Sequence, residues 1–215
     1  MLDRAGRLLV VMDVDSTVIE QEVIELIAAH AGVEDEVRAV TESAMRGEID
    51  FAQSLRARVA LLEGLPVSVL DTVRSQVRFT PGAHSLCGAL HSRGDVVALV
   101  SGGFDVVVAS IAAELGITLY LANTLETLDG RLTGRVQGEI VDRRTKADAL
   151  RTYAVDHGIP LSRTVAVGDG ANDLDMLGVA ALGIAFNAKP IVQEQADVAI
   201  NERDLRLVLH AIENA

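Results

Sequence analysis

The sequence predicts an α/β fold organised on a parallel β-sheet, and three observations predict it. Short, largely apolar runs recur along the chain, as at Leu8–Met12, Val96–Val100 and Thr164–Val167. Stretches of helical length and pattern separate them. Small, polar or acidic residues then follow the runs directly, at Asp13, Ser101 and Gly168. Strands without a polar face need helices on both sides of their sheet. Ligands of such sheets gather beyond the carboxyl ends of the strands.

The elements follow in order. Leu8–Met12 reads as a buried first strand. Residues 33–77 contain no convincing strand; Glu34–Arg46, Asp50–Glu63 and Pro66–Val77 instead have helical patterns, separated by Gly47 and a Gly64-Leu65-Pro66 turn. Lying between the first two strands, this block reads as an inserted helical cap. Alternation then resumes with helix Pro81–Ser92, strand Val96–Val100, helix Phe104–Leu115 and strand Ile117–Leu121. Asp129-Gly130, inside Thr124–Val141, is a hairpin signal. Helix Thr145–His157, strand Thr164–Val167, helix Asp173–Leu177, strands Leu182–Phe186 and Asp197–Ile200, and helix Glu202–Ile212 complete the series. The expected architecture is a Rossmann-like parallel sheet with helices on both faces and a β-hairpin. Residues 1–32 and 78–215 would form the core domain and residues 33–77 the cap.

The 215 residues suit one compact domain with a modest insertion, able to bury a core without staples. Apolar residues make up 49% of the chain but aromatics only 3%, so Ala, Val, Leu and Ile must build that core. A net charge of −12 argues against nucleic acid or an anionic membrane as partner. It also means that an anionic substrate is attracted only where a cation or a basic cluster inverts the local field. Cys87 is the single cysteine, which excludes an intrachain disulfide, reads as a small buried helix residue and fits a reducing cytoplasm. Neither Leu8–Met12 nor Met176–Phe186 is long enough to span a membrane. The five histidines fall on no motif.

Residues two apart in an extended segment point the same way, so Asp13 and Asp15 can address one pocket if the chain stays extended there. Paired carboxylates repel, and a divalent cation relieves that cost. The same residues, with Ser16 and Thr17, also suit a helix cap. Asp169 and Asp173, in Gly168-Asp169-Gly170-Ala171-Asn172-Asp173, bring two more carboxylates to the same sheet edge. With no His or Cys in these loops, Mg²⁺ is expected and zinc is not. Ser101-Gly102-Gly103 offers a hydroxyl and main-chain N–H groups for phosphoryl oxygens, although such a tripeptide is also an ordinary loop. Lys146 and Lys189 are the two lysines, against seventeen arginines. Lys146 sits at a helix start, where the dipole disfavours it; it reads as a phosphoryl ligand or as a surface side chain. Lys189 and Asp175 read as surface residues.

Asp13-x-Asp15-Ser-Thr, Ser101-Gly-Gly, Lys146 and Gly168-Asp-Gly-x-Asn-Asp173, in this order and spacing, resemble the haloacid-dehalogenase-like phosphatases. Within them the likeness is narrowest to the branch that hydrolyses phosphoserine, and it runs from Leu8 to the final helix. The resemblance implies a Mg²⁺-dependent enzyme that hydrolyses O-phospho-L-serine through an aspartyl-phosphate, the last step of serine biosynthesis. Asp13 would be the nucleophile and Asp15 the general acid and base. Asp13, the Asp15 carbonyl and Asp169 would hold Mg²⁺. Ser101, Gly102, Gly103, Lys146 and Asn172 would bind the substrate's phosphoryl end, and Asp173 would support Lys146 and the metal's waters.

The resemblance also matches Glu22 to a residue that takes the substrate's amino group and Arg58 to one that takes its carboxylate. Met45 and Phe51 match apolar positions that cover it. Spacing adds something of its own, since Phe51, Leu55, Arg58 and Leu62 share one helical face. An Arg in an apolar stripe needs a buried or ligand partner, or else it snorkels at the stripe's edge; Arg56, off that face, reads as solvated. Glu22 alone is equally a first-turn helix charge. Some members carry N-terminal regulatory domains, for which this sequence leaves no room before its first strand. Related readings are another small-molecule phosphatase or a phosphotransferase. A receiver-like phosphorylation switch also clusters carboxylates and a Lys around Mg²⁺, but has no cap and no residue like Asp15.

Overall fold

The structure, a computed structural model, describes residues 2–45 and 48–215, with the side chains of 44 and 45 outside the description. Seven strands form one sheet: β1 (Leu9–Met12), β2 (Val96–Phe104), β3 (Leu119–Leu128), β4 (Arg131–Gln137), β5 (Thr164–Gly168), β6 (Leu182–Phe186) and β7 (Val198–Ile200). Their order is β4-β3-β2-β1-β5-β6-β7. Every neighbouring pair is parallel except β3 with β4. The chain builds outward from β1 through β2 to β3, then returns to start β5 on its other side. The carboxyl ends of β1, β2 and β5 therefore flank the point where the order reverses, which is where such sheets bind ligands.

Strand periodicity explains the two covered faces. Val10 and Met12 of β1 enter one core with Val97, Leu99, Val165 and Val167. Leu9 and Val11 enter the other with Ala98, Val100 and Ala166. Packed on the first face are α1 (Val23–Ala31), α5 (Ala83–Ser92), α6 (Asp105–Glu114) and α10 (Arg206–Asn214). On the second lie α7 (Arg143–Asp156) and α8 (Leu174–Val179). Alanines in the second core let α7 come close to the sheet, and this approach brings Lys146 to the strand ends. Asp142 caps α7, its carboxylate accepting from the Thr145 N–H at 2.9 Å. Cys87 is buried in α5, where burial pushes its thiol up to about 11.

Between β1 and β2 lie α2 (Glu34–Met45), α3 (Phe51–Ala60) and α4 (Val69–Gln76). Asp50 and Gln53 form a reciprocal cap on α3. The Asp129-Gly130 hairpin forms as expected, with both residues at positive φ (49° and 74°), as a tight two-residue turn requires. Its β4 strand also grips the helical block. Gly64 N–H donates to Leu132 O at 2.8 Å, Val67 N–H to Gly130 O at 2.9 Å and Leu132 N–H to Leu65 O at 2.9 Å.

Some boundaries differ from the expectation. The β2 strand does not stop at Val100 but continues to Phe104, because fully buried Phe104 pulls the two glycines into the extended chain despite a register shift beside β3. The β3 strand is continuous from Leu119 to Leu128, so the hairpin extends the sheet rather than interrupting it. The α3 helix ends at Ala60, placing buried Leu62 just beyond it. The α1 helix, which starts beside Glu22 as the helix reading of that residue implied, and a short α9 (Pro190–Gln193) add to the expected elements. No helix among the described residues is long and apolar enough to cross a membrane. Replacing the α7 cap, Asp142→Ala, should lower the unfolding free energy by about 1 kcal/mol, measured by urea denaturation.

Candidate active site

The three strand ends converge as their residue types suggested. Asp13 leaves β1 in extended geometry (φ −66°, ψ 163°), and its main-chain N–H donates to Val167 O at 2.9 Å. Asp15 is still extended, and the chain then reverses at Ser16, which takes φ 58°. Neither Ser16 nor Thr17 acts as a cap, correcting one reading of the sequence. Ser16 Oγ donates to Glu22 Oε1 at 2.7 Å, and Thr17 Oγ1 donates to Asp169 Oδ1 at 3.3 Å. Both hydroxyls tie the first loop to other parts of the site.

Lys146 is the centre of the arrangement. It is 0% exposed, which excludes the surface reading, and its Nζ donates to Asp13 Oδ1 and, at 2.7 Å, to Asp173 Oδ1. Those carboxylates hold the ammonium above its ordinary pKa against the opposing effect of burial. Asp173 in turn accepts from the Gly170 N–H at 3.0 Å, which fixes the loop after β5. Gly168 makes this possible: a Cβ there would lie 2.5 Å from the Asp173 carboxyl carbon.

The acids remain crowded even so. Burial pushes Asp13 well above the carboxylate range; Lys146 opposes this, and Asp173 and Asp169 add to it. Burial, then Asp173 and Glu22, push Asp169 up to about 7. Burial and Glu22 also raise Asp15 well above its ordinary value. Its Oδ2 accepts from the Val23 N–H at 3.4 Å, while buried Oδ1 has no partner among the described residues. Its surroundings therefore favour the acid form more than those of a solvent-exposed aspartate do. Carboxylate oxygens of Asp13, Asp169 and Asp173 lie within 4.8 Å of one another. This all-oxygen cluster, with repulsion left unrelieved, fits a hard cation such as Mg²⁺.

The β2 end corrects one detail. Gly103 N–H does not face a ligand, because it donates to Ser101 Oγ at 2.8 Å. That bond leaves the buried Ser101 hydroxyl its own proton to donate. A Cβ on Gly103 would lie 2.9 Å from Asp15 Oδ2, so glycine here keeps room for the acid.

One cavity of about 620 Å³ is lined by Asp13, Asp15, Gly102, Gly103, Asp169 and Asn172, and also by Glu22, Phe51 and Arg58. Phe51 reaches over β2, its Cζ 2.8 Å from where a Cβ of Gly102 would stand. Ser101, Lys146 and Asp173 are buried and are not among the lining residues. Arg58 is half-buried, its Nε donates to Ser54 O at 3.3 Å, and no carboxylate pairs with it among the described residues. Glu22, Asp15 and Glu25 supply a negative field around it. Arg56 is exposed, as expected. Met45 lies outside the residues whose side chains are described.

Sequence reasoning missed two cations that line the cavity. Lys189 is exposed, as anticipated, but at the cavity. Arg143, which opens α7, pairs through Nη2 with Asp175 Oδ1 at 2.6 Å. Only the tertiary approach of α7, α8 and α9 to the strand ends brings these residues in, and no local pattern marks it.

A site of clustered carboxylates and a buried Lys at the switch point of a parallel sheet has counterparts among known proteins. The chain belongs to the haloacid dehalogenase-like hydrolase family, whose model matches residues 10–178. It is 60% identical over 211 residues to the phosphoserine phosphatase of Streptomyces coelicolor, covering 98% of this chain and 52% of that one. It is 51% identical to the phosphoserine phosphatase of Streptococcus thermophilus, covering 95% of each. The chain thus spans about half the length of the first relative and nearly all of the second. A solved structure of a phospho-aspartyl intermediate analogue of phosphoserine phosphatase superposes with a TM-score of 0.91 at 46% identity, over 96% of this chain and 99% of that one.

Lys146→Met should lower the unfolding free energy of metal-free protein by about 3–5 kcal/mol where the buried carboxylates are ionised, because it leaves them uncompensated. Asp13 then has a folded-state pKa still further above its unfolded value. The loss should be full above that folded value and shrink as pH falls towards the unfolded one, which urea titrations across pH can measure.

Proposed function

We propose that this chain is a Mg²⁺-dependent phosphoserine phosphatase. The observation that carries the reading is the shared cavity: the acids beyond β1 and β5 and the glycines at the end of β2 line it together with Glu22 and Arg58. An anionic phosphoryl end and a zwitterionic amino-acid end can therefore be bound at once. In this reading residues 33–77 act as a cap over a core of residues 1–32 and 78–215, and the buried lone cysteine suits a cytoplasmic setting.

Asp13 attacks phosphorus while the ester P–O bond breaks. Asp15 gives its proton to the departing serine oxygen. Water then attacks the aspartyl-phosphate, Asp15 takes its proton, and cleavage of the Asp13–phosphorus bond releases phosphate. Lys146 and the Ser101 hydroxyl hold phosphoryl oxygens, Gly102, Gly103 and Asn172 complete their surroundings, and Asp173 keeps Lys146 in place. Asp13, Asp169 and the main-chain carbonyl of Asp15 would hold Mg²⁺, which supplies charge neutralisation for the phosphoryl oxygens when bound. Glu22 takes the substrate ammonium and Arg58 its carboxylate, which a guanidinium can grip with two parallel bonds. Phe51 and Met45 cover the bound molecule. Phosphate-monoester hydrolysis demands accelerations of up to ~10²¹, so the covalent step and the electrostatic groups must act together.

The deciding experiment is a kcat/KM comparison across O-phosphoserine, O-phosphothreonine, phosphoethanolamine and a phosphosugar with Mg²⁺ present. O-phosphoserine should lead; equal rates would refute the substrate assignment. EDTA should stop phosphate release and Mg²⁺ restore it, while Asp13→Asn should fold normally and give no turnover. Full activity in chelator, or turnover by Asp13→Asn, would exclude this mechanism. Arg58→Ala should raise KM for O-phosphoserine roughly ten- to a hundredfold, the worth of a hydrogen-bonded charge, and affect an aryl phosphate far less.

A further inference from the structure

Ser54 carries a feature that the phosphoryl chemistry does not use. It lies in α3 one turn before Arg58, lines the same cavity and is only 2% exposed. Its hydroxyl has no hydrogen-bond partner among the described residues. A serine or threonine within a helix usually returns its proton to the carbonyl four residues back or points to water. Thr41 does the former with Val37 O at 2.9 Å, and Ser92 with Gly88 O at 2.8 Å. Ser54 does neither. A buried hydroxyl left unpaired is destabilising, and the cavity is where an acceptor can be supplied.

The surroundings select the acceptor. Side chains four apart on a helix are neighbours, and the Arg58 Nε contact to Ser54 O at 3.3 Å keeps the guanidinium beside this turn. Phe51 and Leu55 make the nearby lining apolar. Glu22, Asp15 and Glu25 also face Arg58, but none pairs with it among the described residues, so a neutral donor beside that unpaired cation matches an anionic oxygen of the ligand. We propose that Ser54 Oγ donates a hydrogen bond to the substrate carboxylate that Arg58 grips, making Ser54 a specificity-determining residue. This rests on the phosphoserine reading and adds a second point of contact to it.

The test is Ser54→Ala, assayed with Mg²⁺ on O-phosphoserine and on phosphoethanolamine, which lacks the carboxylate. KM for O-phosphoserine should rise about tenfold, in line with a hydrogen bond to a charged group, with kcat within about twofold. The ratio of kcat/KM between the two substrates should fall by the same factor. In an Arg58→Ala background, where the carboxylate has lost its anchor, the further effect should be under about twofold. Ser54→Cys, close in size but a weak donor, should reproduce the KM rise. The melting temperature of Ser54→Ala should equal or exceed that of the parent, since an unpaired hydroxyl is removed; a clear drop would show a partner within the protein and overturn the proposal. An unchanged ratio in an enzyme that prefers O-phosphoserine overturns the Ser54 contact alone. A parent enzyme with no such preference overturns the substrate reading and this contact together.

Discussion

A single buried ammonium holds the site in register. Lys146 joins Asp13, at the end of β1, to Asp173, beyond the end of β5, from a helix packed across the sheet. Three segments far apart in sequence are fixed by one positive charge out of reach of solvent. Burying that charge is tolerable only with partners in place. The partners are themselves buried carboxylates that would repel without it. Each therefore makes the others possible, and the glycine at 168 and the alanines under α7 are the steric conditions for the contact.

Charge explains why an acidic chain can host chemistry on an anion. The net charge of −12 is distributed so that the cavity is not simply negative. Arg58, Arg143 and Lys189 line it, and Lys146 stands directly behind Asp13. The raised Asp13 and Asp169 mark where one more positive charge is needed. Burial and Glu22 raise Asp15 as well, against the opposing field of Lys146.

Much of this was legible in the sequence because strand ends are abrupt. An apolar run that stops at an acid or a small polar residue announces a sheet edge, and Asp13, Ser101 and Asp169 were found that way. The hairpin was equally plain from Asp129-Gly130. The α3 stripe marked Arg58, which the structure sets in the cavity with no carboxylate paired to it among the described residues. What stayed hidden depends on packing between distant segments. A first-turn lysine looks the same whether it is solvated or sealed, so the burial of Lys146 could not be read. Ser16 and Thr17 have the chemistry of caps, and only the fold turns them towards Glu22 and Asp169. Gly102 and Gly103 look like a loop, yet buried Phe104 draws them into β2. Arg143 and Lys189 carry no local mark at all.

The hairpin's grip on the 64–67 turn has a mechanical consequence. A segment joined to a larger body at two chain crossings can swing about the line between them. A third attachment away from that line removes the swing. The main-chain bonds from Gly64, Leu65 and Val67 to Gly130 and Leu132 are such an attachment. An outward movement of α3 that carries the 64–67 turn with it must then break those bonds or bend β3 and β4. Asn123 on β3 donates to Gly102 O at 2.8 Å and accepts from the Val141 N–H at 2.9 Å. Bending the hairpin would thus pull on the strand end that carries Ser101, so access to the cavity and the shape of its floor are not independent degrees of freedom.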